Sequence, residues 1–216
     1  MAFDTSTLLS AQLHDIKNEM QALLSLQSEL AEQLAQQPEQ AAVLGRISEH
    51  SNSLNQRLVE LLSVLKFQNT AFSPNEDEHW LIDTLTPICS DFKRLKGFEI
   101  TCAFDLEFNQ FYDEQLLEIA LTNIFGNAKQ AGATAAEILV EEFDDGHWSI
   151  KVLDNGPGFE PEQLSQGEFN PQGTSSGLGL YLIEQAMKAH KRNGTRGQLT
   201  IGNSENGGAE IHLIFP

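Results

Sequence analysis

The chain has 216 residues, enough for one or two domains, and 40% of them are hydrophobic, too many for a disordered chain. Its 13 Lys and Arg stand against 31 Asp and Glu, a formal net charge of −18 that repels a polyanion, so no nucleic-acid partner is expected. No apolar run approaches the ~20 residues that span a bilayer. The opening MAFDTSTLLSAQLHD lacks the basic and apolar regions of a secretory signal, so a cytoplasmic location without membrane contact is expected.

Residues 5–36 carry one long helical pattern, with Thr5 and Ser6 as candidate caps. Leu9, Leu13, Ile16, Met20, Leu23, Leu30 and Leu34 step by threes and fours as an apolar heptad seam. Pro38 disfavours helical geometry at the residue before it and ends the run. A second pattern follows over about residues 40–68, where Leu44, Ile47, Leu54, Leu58, Leu61 and Leu65 keep the rhythm and Ser51 fills its polar gap. Two helices joined by a short turn make an antiparallel hairpin. Such a hairpin cannot cover both of its apolar stripes. A homodimer, with two hairpins forming a four-helix bundle, is therefore expected. Residues 1–68 are assigned to this unit, 69–78 to a polar linker containing Pro74, and 79–216 to a second domain.

The texture then changes. Residues 79–96 read as a helix, 98–108 as a strand, and 113–131 as a helix starting near Asp113. AEILVEEF and HWSIKVLD flank Asp145-Gly146, a hairpin signal. A glycine-rich stretch leads into a helix at about 177–191, and QLTIGN and AEIHLIFP close the chain as a hairpin around Asn206-Gly207-Gly208. Helices with mostly hairpin-connected strands predict an α+β sandwich with helices on one sheet face. Cys89 and Cys102 lack metal-ligand spacing and read as small core residues. Lys188, Lys191, Arg192 and Arg196 read as a solvated helix end favoured by the helix dipole.

Four stretches carry chemistry: LHDIKNEM (13–20), LTNIFGNAKQAG (121–132), DNGPGF (154–159) and GTSSGLGL (173–180). His14 is a nucleophile candidate, because much of an imidazole is unprotonated at neutral pH. Asn18 lies four residues on and shares its helix face; Asp15, next in sequence, does not. Asn123 and Asn127 share a face in the same way. Gly156 and Gly158 let a backbone turn sharply after a strand, while Gly173, Gly177 and Gly179 remove side chains where backbone N–H groups and a helix N-terminus can meet phosphate.

In this order the stretches resemble the phosphoacceptor box and the N, G1 and G2 boxes of a two-component sensor histidine kinase catalytic core. The resemblance spans nearly the whole chain. It implies a dimerisation and phosphoacceptor hairpin followed by a Bergerat-type ATP-binding α/β sandwich, with ATP and Mg²⁺ as cofactors. His14 would be phosphorylated through Nε2, Asp15 would accept the Nδ1 proton, and Asn18 would hold a water for a phosphatase activity. Asn127 would ligate Mg²⁺ and Asp154 would accept a hydrogen bond from the adenine amine. The ATPases of this fold carry Glu where Asn123 stands, and an amide cannot act as a general base. The resemblance therefore implies that ATP would be kept for transfer to histidine.

Residues 160–172 would form the lid, with Phe169 as a reduced F-box, and Lys129 is a further candidate for phosphate. The phosphoryl group would pass to an aspartate of a response-regulator receiver domain. His14 stands 13 residues from the start, so input is expected from a separate sensory protein or from control of expression in a bacterial cell. The alternative is a phosphotransfer or scaffold protein with a silent nucleotide domain, which the intact glycine boxes disfavour.

Overall fold

The computed structural model of the chain describes residues 5–34, 36–68, 73–94, 98–144, 146–165, 175–205 and 207–216. The chain divides into two compact units, Met1–Phe72 and Ser73–Pro216.

The first unit holds α1 (Thr5–Gln33) and α2 (Pro38–Gln68), which pack against each other. Pro38 begins α2, where its missing N–H costs nothing. The heptad seam splits into two lines. Met20 and Gln27 on α1 and Leu34 just past its end are buried or half-buried, as are Leu44, Ser51, Leu58 and Leu65 on α2. A polar pair crosses this inner line, Gln27 Nε2 donating to Ser51 Oγ at 2.9 Å. The second line is exposed: Ile16, Leu23 and Leu30 on α1, and Ile47, Leu54 and Leu61 on α2, each set at seven-residue steps. Leu54, for example, keeps 57% of its surface.

The second unit is a mixed five-stranded sheet with helices packed on it. Its elements are β1 (Asp77–Trp80), α3 (Leu81–Arg94), β2 (Glu99–Ala103), β3 (Asn109–Tyr112), α4 (Glu114–Gln130), β4 (Ala135–Glu142), β5 (Trp148–Asp154), α5 (Pro161–Leu164), α6 (Ser175–Ala189), β6 (Lys191–Arg192), β7 (Thr195–Arg196), β8 (Gln198–Asn203) and β9 (Ala209–Phe215). The sheet order is β2-β4-β5-β9-β8, parallel between β2 and β4 and antiparallel elsewhere. Along β9, buried Ala209, Ile211, Leu213 and Phe215 alternate with half-buried residues, the period-two signature of a sheet covered on one face. Leu116, Leu121 and Ile124 of α4 and Leu182, Ile183 and Ala186 of α6 are buried with them. Trp148 stacks on Phe215 at 4.0 Å between ring centroids, and Tyr112 lies 5.6 Å from Trp148.

Asp113 opens α4 as its N-cap, accepting Leu116 N–H at 3.0 Å. The hairpin between β4 and β5 turns at Gly146 with φ +84, a left-handed value that suits glycine. Four expectations need correction. Residues 77–78, read as linker, and 79–80, read as helix, form β1, which pairs with β3. The single strand expected over 98–108 stops at Ala103, because Asp105 turns the chain before β3 begins at Asn109: its Oδ1 accepts Glu107 N–H at 2.9 Å and its carbonyl accepts Phe108 N–H at 3.0 Å. The helix expected to reach residue 191 ends at Ala189, so Lys191, Arg192 and Arg196 sit on the β6–β7 ladder rather than on a helix end. The cysteines are not core residues. Cys102 is exposed on β2 and Cys89 half-buried on α3. Their thiols share a hydrogen bond, which together with Lys93 lowers the Cys102 pKa to about 7; the same bond and burial push the Cys89 thiol up, against the lowering effect of Lys93.

Candidate functional site

The nucleotide motifs all fall in the second unit. Asn123 and Asn127 sit one turn apart on α4. Asn123 is only 3% exposed. Its Nδ2 donates to the Ile119 carbonyl at 2.8 Å, a bond back along its own helix, while its Oδ1 is buried with no partner among the described residues. A buried acceptor left without a donor costs about 1–3 kcal/mol. That cost is recovered when a ligand, water or cation supplies the missing contact.

Gly179 of α6 explains how two helices meet here. A Cβ at Gly179 would lie 2.9 Å from Asn127 Nδ2, 3.2 Å from Asn127 Oδ1 and 3.4 Å from Asn123 Oδ1. The glycine therefore leaves room for both amides where α4 and α6 pack. Gly177 lies in α6. Gly173 and Phe169 lie outside the described residues, as does most of the segment expected as lid. Of that segment, α5 follows Glu160, whose N–H donates to Gln163 Oε1 at 2.9 Å. Lys129 is half-buried in the last turn of α4.

The DNGPGF turn follows β5 and is held from several sides. Asp154 Oδ1 accepts Gly156 N–H at 2.8 Å and Ala209 N–H at 3.1 Å. Both bonds fall on one oxygen of the carboxylate, Oδ1. Gly156 passes so close to the end of α4 that a Cβ would lie 3.3 Å from Ala133 Cβ.

Two residues that sequence reasoning missed also shape this turn. Asn155 Oδ1 accepts Thr134 N–H at 2.8 Å and Ala135 N–H at 2.9 Å, and its Nδ2 donates to Thr134 Oγ1 at 2.9 Å. Asn155 thereby ties the turn to the start of β4. Gly208, at φ +89, runs against the Asp154 carbonyl, where a Cβ would lie 1.9 Å from the oxygen. The turn signal at Asn206-Gly207-Gly208 marks a hairpin but not this contact, whose other half lies far back in the sequence.

His14, Asp15 and Asn18 lie on α1, in the other unit; Asp15 and Asn18 are exposed. Among the described residues no group of three or more His, Cys, Asp or Glu could hold a metal ion, and no helix is long and apolar enough to cross a membrane.

Residues 112–216 match the family of histidine kinase-, DNA gyrase B- and HSP90-like ATPases. The chain is similar to the sensor histidine kinase YvrG of Bacillus subtilis, 25% identical over 94% of this chain and 37% of the relative. It is also similar to a putative NtrY-like sensor histidine kinase of Rickettsia bellii, 26% identical over 94% of this chain and 34% of that protein. The chain thus spans about a third of the length of these curated relatives. Among solved structures, the histidine kinase AdeS of Acinetobacter baumannii superposes with a TM-score of 0.61 at 18% identity, over 89% of this chain and 95% of that one. The fold, the ordered motifs and these matches support a histidine kinase catalytic core. Its nucleotide-binding part is a Bergerat-type α/β ATPase domain.

Proposed function

We propose that the chain is an ATP-dependent protein-histidine kinase that phosphorylates His14 and passes the phosphoryl group to an aspartate of a response-regulator receiver domain. The observation that carries this reading is the buried, unpartnered Oδ1 of Asn123 beside Asn127, at the glycine that lets α6 approach α4. Two amide oxygens suit a hard cation that keeps most of its water, so Asn127, with Asn123 behind it, would hold Mg²⁺ against the phosphates. That ion would neutralise the charge that develops during transfer. Asp154 Oδ2 would accept from the adenine amine, and α6 would point its N-terminus at phosphate.

His14 Nε2 would attack the γ-phosphorus; the new N–P bond forms as the bond to the bridging oxygen of ADP breaks. Asp15 would take up the Nδ1–H hydrogen bond and stabilise the positive ring, as the acid of a catalytic triad does. With an amide at position 123, no carboxylate stands where the hydrolytic relatives place their base, and this supports transfer to histidine over loss to water. Asn18, on the His14 face of α1, would orient a water toward a phosphoaspartate and so reverse the signal. The exposed heptad lines of α1 and α2 support a homodimer built as a four-helix bundle. Action in the bacterial cytoplasm completes the proposal.

The test is incubation with γ-labelled ATP. The wild type takes up an acid-labile, alkali-stable label, and His14→Gln and Asn127→Ala take up none. Undiminished label on His14→Gln overturns the assignment.

A further inference from the structure

The hairpin of β8 and β9 grips the DNGPGF turn from both of its strands. On the β9 side stand Ala209 and Gly208, already seen against Asp154. On the β8 side stands Asn203, the last residue of that strand and the partner of Ala209 in the ladder. Asn203 Oδ1 accepts Phe159 N–H at 2.7 Å, and Asn203 Nδ2 donates to the Phe159 carbonyl at 3.0 Å. A single carboxamide thus satisfies both backbone groups of one residue, as a neighbouring strand would.

The same amide occupies the space beside Gly158. A Cβ there would lie 2.6 Å from Asn203 Oδ1, and the φ of +80 at Gly158 already disfavours any side chain. Glycine at 158 and asparagine at 203 are therefore halves of one device, set 45 residues apart in the sequence. Asp154 and Gly156 are fixed at the start of the turn by Asp154 Oδ1, and Asn203 fixes its end.

We propose that Asn203 is a positioning residue of the nucleotide site, holding the Gly158–Phe159 end of the turn in the shape that the adenosine side of Mg-ATP requires. The inference rests on the reading of DNGPGF as the adenine-binding turn. Asn203 does not touch the nucleotide. It acts through the Phe159 backbone, so its loss raises the dissociation constant and leaves the transfer step alone once the site is filled.

The experiment measures dissociation constants for Mg-ATP and Mg-ADP by calorimetry on the full chain, together with the unfolding midpoint without nucleotide and the KM and kcat of autophosphorylation. Asn203→Ala is expected to weaken ATP and ADP alike by about tenfold, the size of one to two lost hydrogen bonds, and to raise KM while kcat stays within about twofold. Asn203→Asp keeps the acceptor for Phe159 N–H, loses the donor to its carbonyl, and falls between. A merely structural role would shift the unfolding midpoint and leave the affinities of the still-folded protein unchanged. Wild-type affinity in Asn203→Ala, or a fall in kcat at unchanged KM, overturns the proposal. Should Asn203→Ala fail to fold, Asn203→Asp decides by the same two criteria. A wild type that binds neither nucleotide overturns the ATP reading and this inference with it. A wild type that binds beside an unimpaired Asn203 variant overturns this inference alone.

Discussion

The two units of the chain bury their apolar surface differently. In Ser73–Pro216 the sheet and its helices close a core of their own, with Leu81, Leu85, Tyr112, Leu116, Ile138, Trp148 and Leu213 removed from solvent. In Met1–Phe72 two helices pair along one heptad line and leave a parallel line of Ile and Leu in water. A fully buried Leu or Ile is worth about 1.5–3 kcal/mol over an exposed one, so the unused line is a sizeable reserve of association energy. The ATPase unit is built to stand alone. The helical unit leaves exposed the apolar line that the proposed homodimer would cover.

The strongest way to break this contrast is to damage the core that needs no partner. Trp148→Ala removes the ring stacked on Phe215 and adjacent to Tyr112, and such truncations cost about 3–5 kcal/mol. Chemical denaturation should show the ATPase transition moving to much lower denaturant, with no dependence on protein concentration. A concentration-dependent midpoint for that transition would mean that this unit, too, relies on a partner.

The next effect is confined to the nucleotide turn. Gly208→Ala places a methyl where the Asp154 carbonyl already sits and demands a left-handed backbone of alanine. The turn must move, so Mg-ATP affinity should drop by at least about tenfold for a cost near 1–3 kcal/mol. Calorimetric titration checks this, and a variant that binds as tightly as the wild type rules out the close approach as a determinant of the pocket.

The helical unit is tested in the opposite direction. Leu23→Glu with Leu54→Glu charges the exposed heptad lines and leaves the inner line intact. Light scattering should give a monomer where the wild type gives a dimer, with Mg-ATP affinity unchanged. A variant that stays dimeric would place the association surface elsewhere.

These contrasts were unevenly readable in the sequence. The start of α4 was legible because Asp113 caps it through a bond three residues long, and the β4–β5 turn because Gly146 announces it locally. The heptads were legible as periodicity, yet periodicity does not say which half of a seam faces the sister helix. That division emerges only once Gln27 meets Ser51. β1 was missed because Asp77-Glu78-His79-Trp80 carries no apolar alternation and owes its form to pairing with β3. The strand expected over 98–108 was misread because Phe104, Leu106 and Phe108 mimic alternation across what is an Asp105 turn. Within the candidate site, Asp154 and the glycines declare themselves as a motif. Asn155 and Asn203 do not, since the backbone groups they satisfy lie about 20 and 44 residues away. A lone asparagine has no sequence signature for a distant partner.

The smallest effect concerns a group inside the self-sufficient unit. His190 is buried where α6 ends, and its Nε2 accepts Asp113 N–H at 3.1 Å. Its Nδ1–H then donates to the Ala186 carbonyl at 2.9 Å, so the ring is neutral and both nitrogens are used. Burial lowers its pKa below the ordinary 6.5, against the raising effects of the Ala186 carbonyl, Glu76 and Asp113. The folded state therefore resists a proton that the unfolded chain accepts. The stability due to the neutral ring is complete above the unfolded pKa and is lost as pH falls from there through the folded value. His212 is shifted the same way, by burial and by Lys151, and adds to the trend. Denaturation of the ATPase unit between about pH 7 and pH 5.5 should show stability falling with pH before most carboxylates titrate. His190→Gln can still offer an oxygen to Asp113 N–H but has no proton to gain, so its stability should fall less steeply over that window. An identical slope in the variant would assign the whole dependence to other groups and remove His190 as the acid-sensitive link between the cap of α4 and the end of α6.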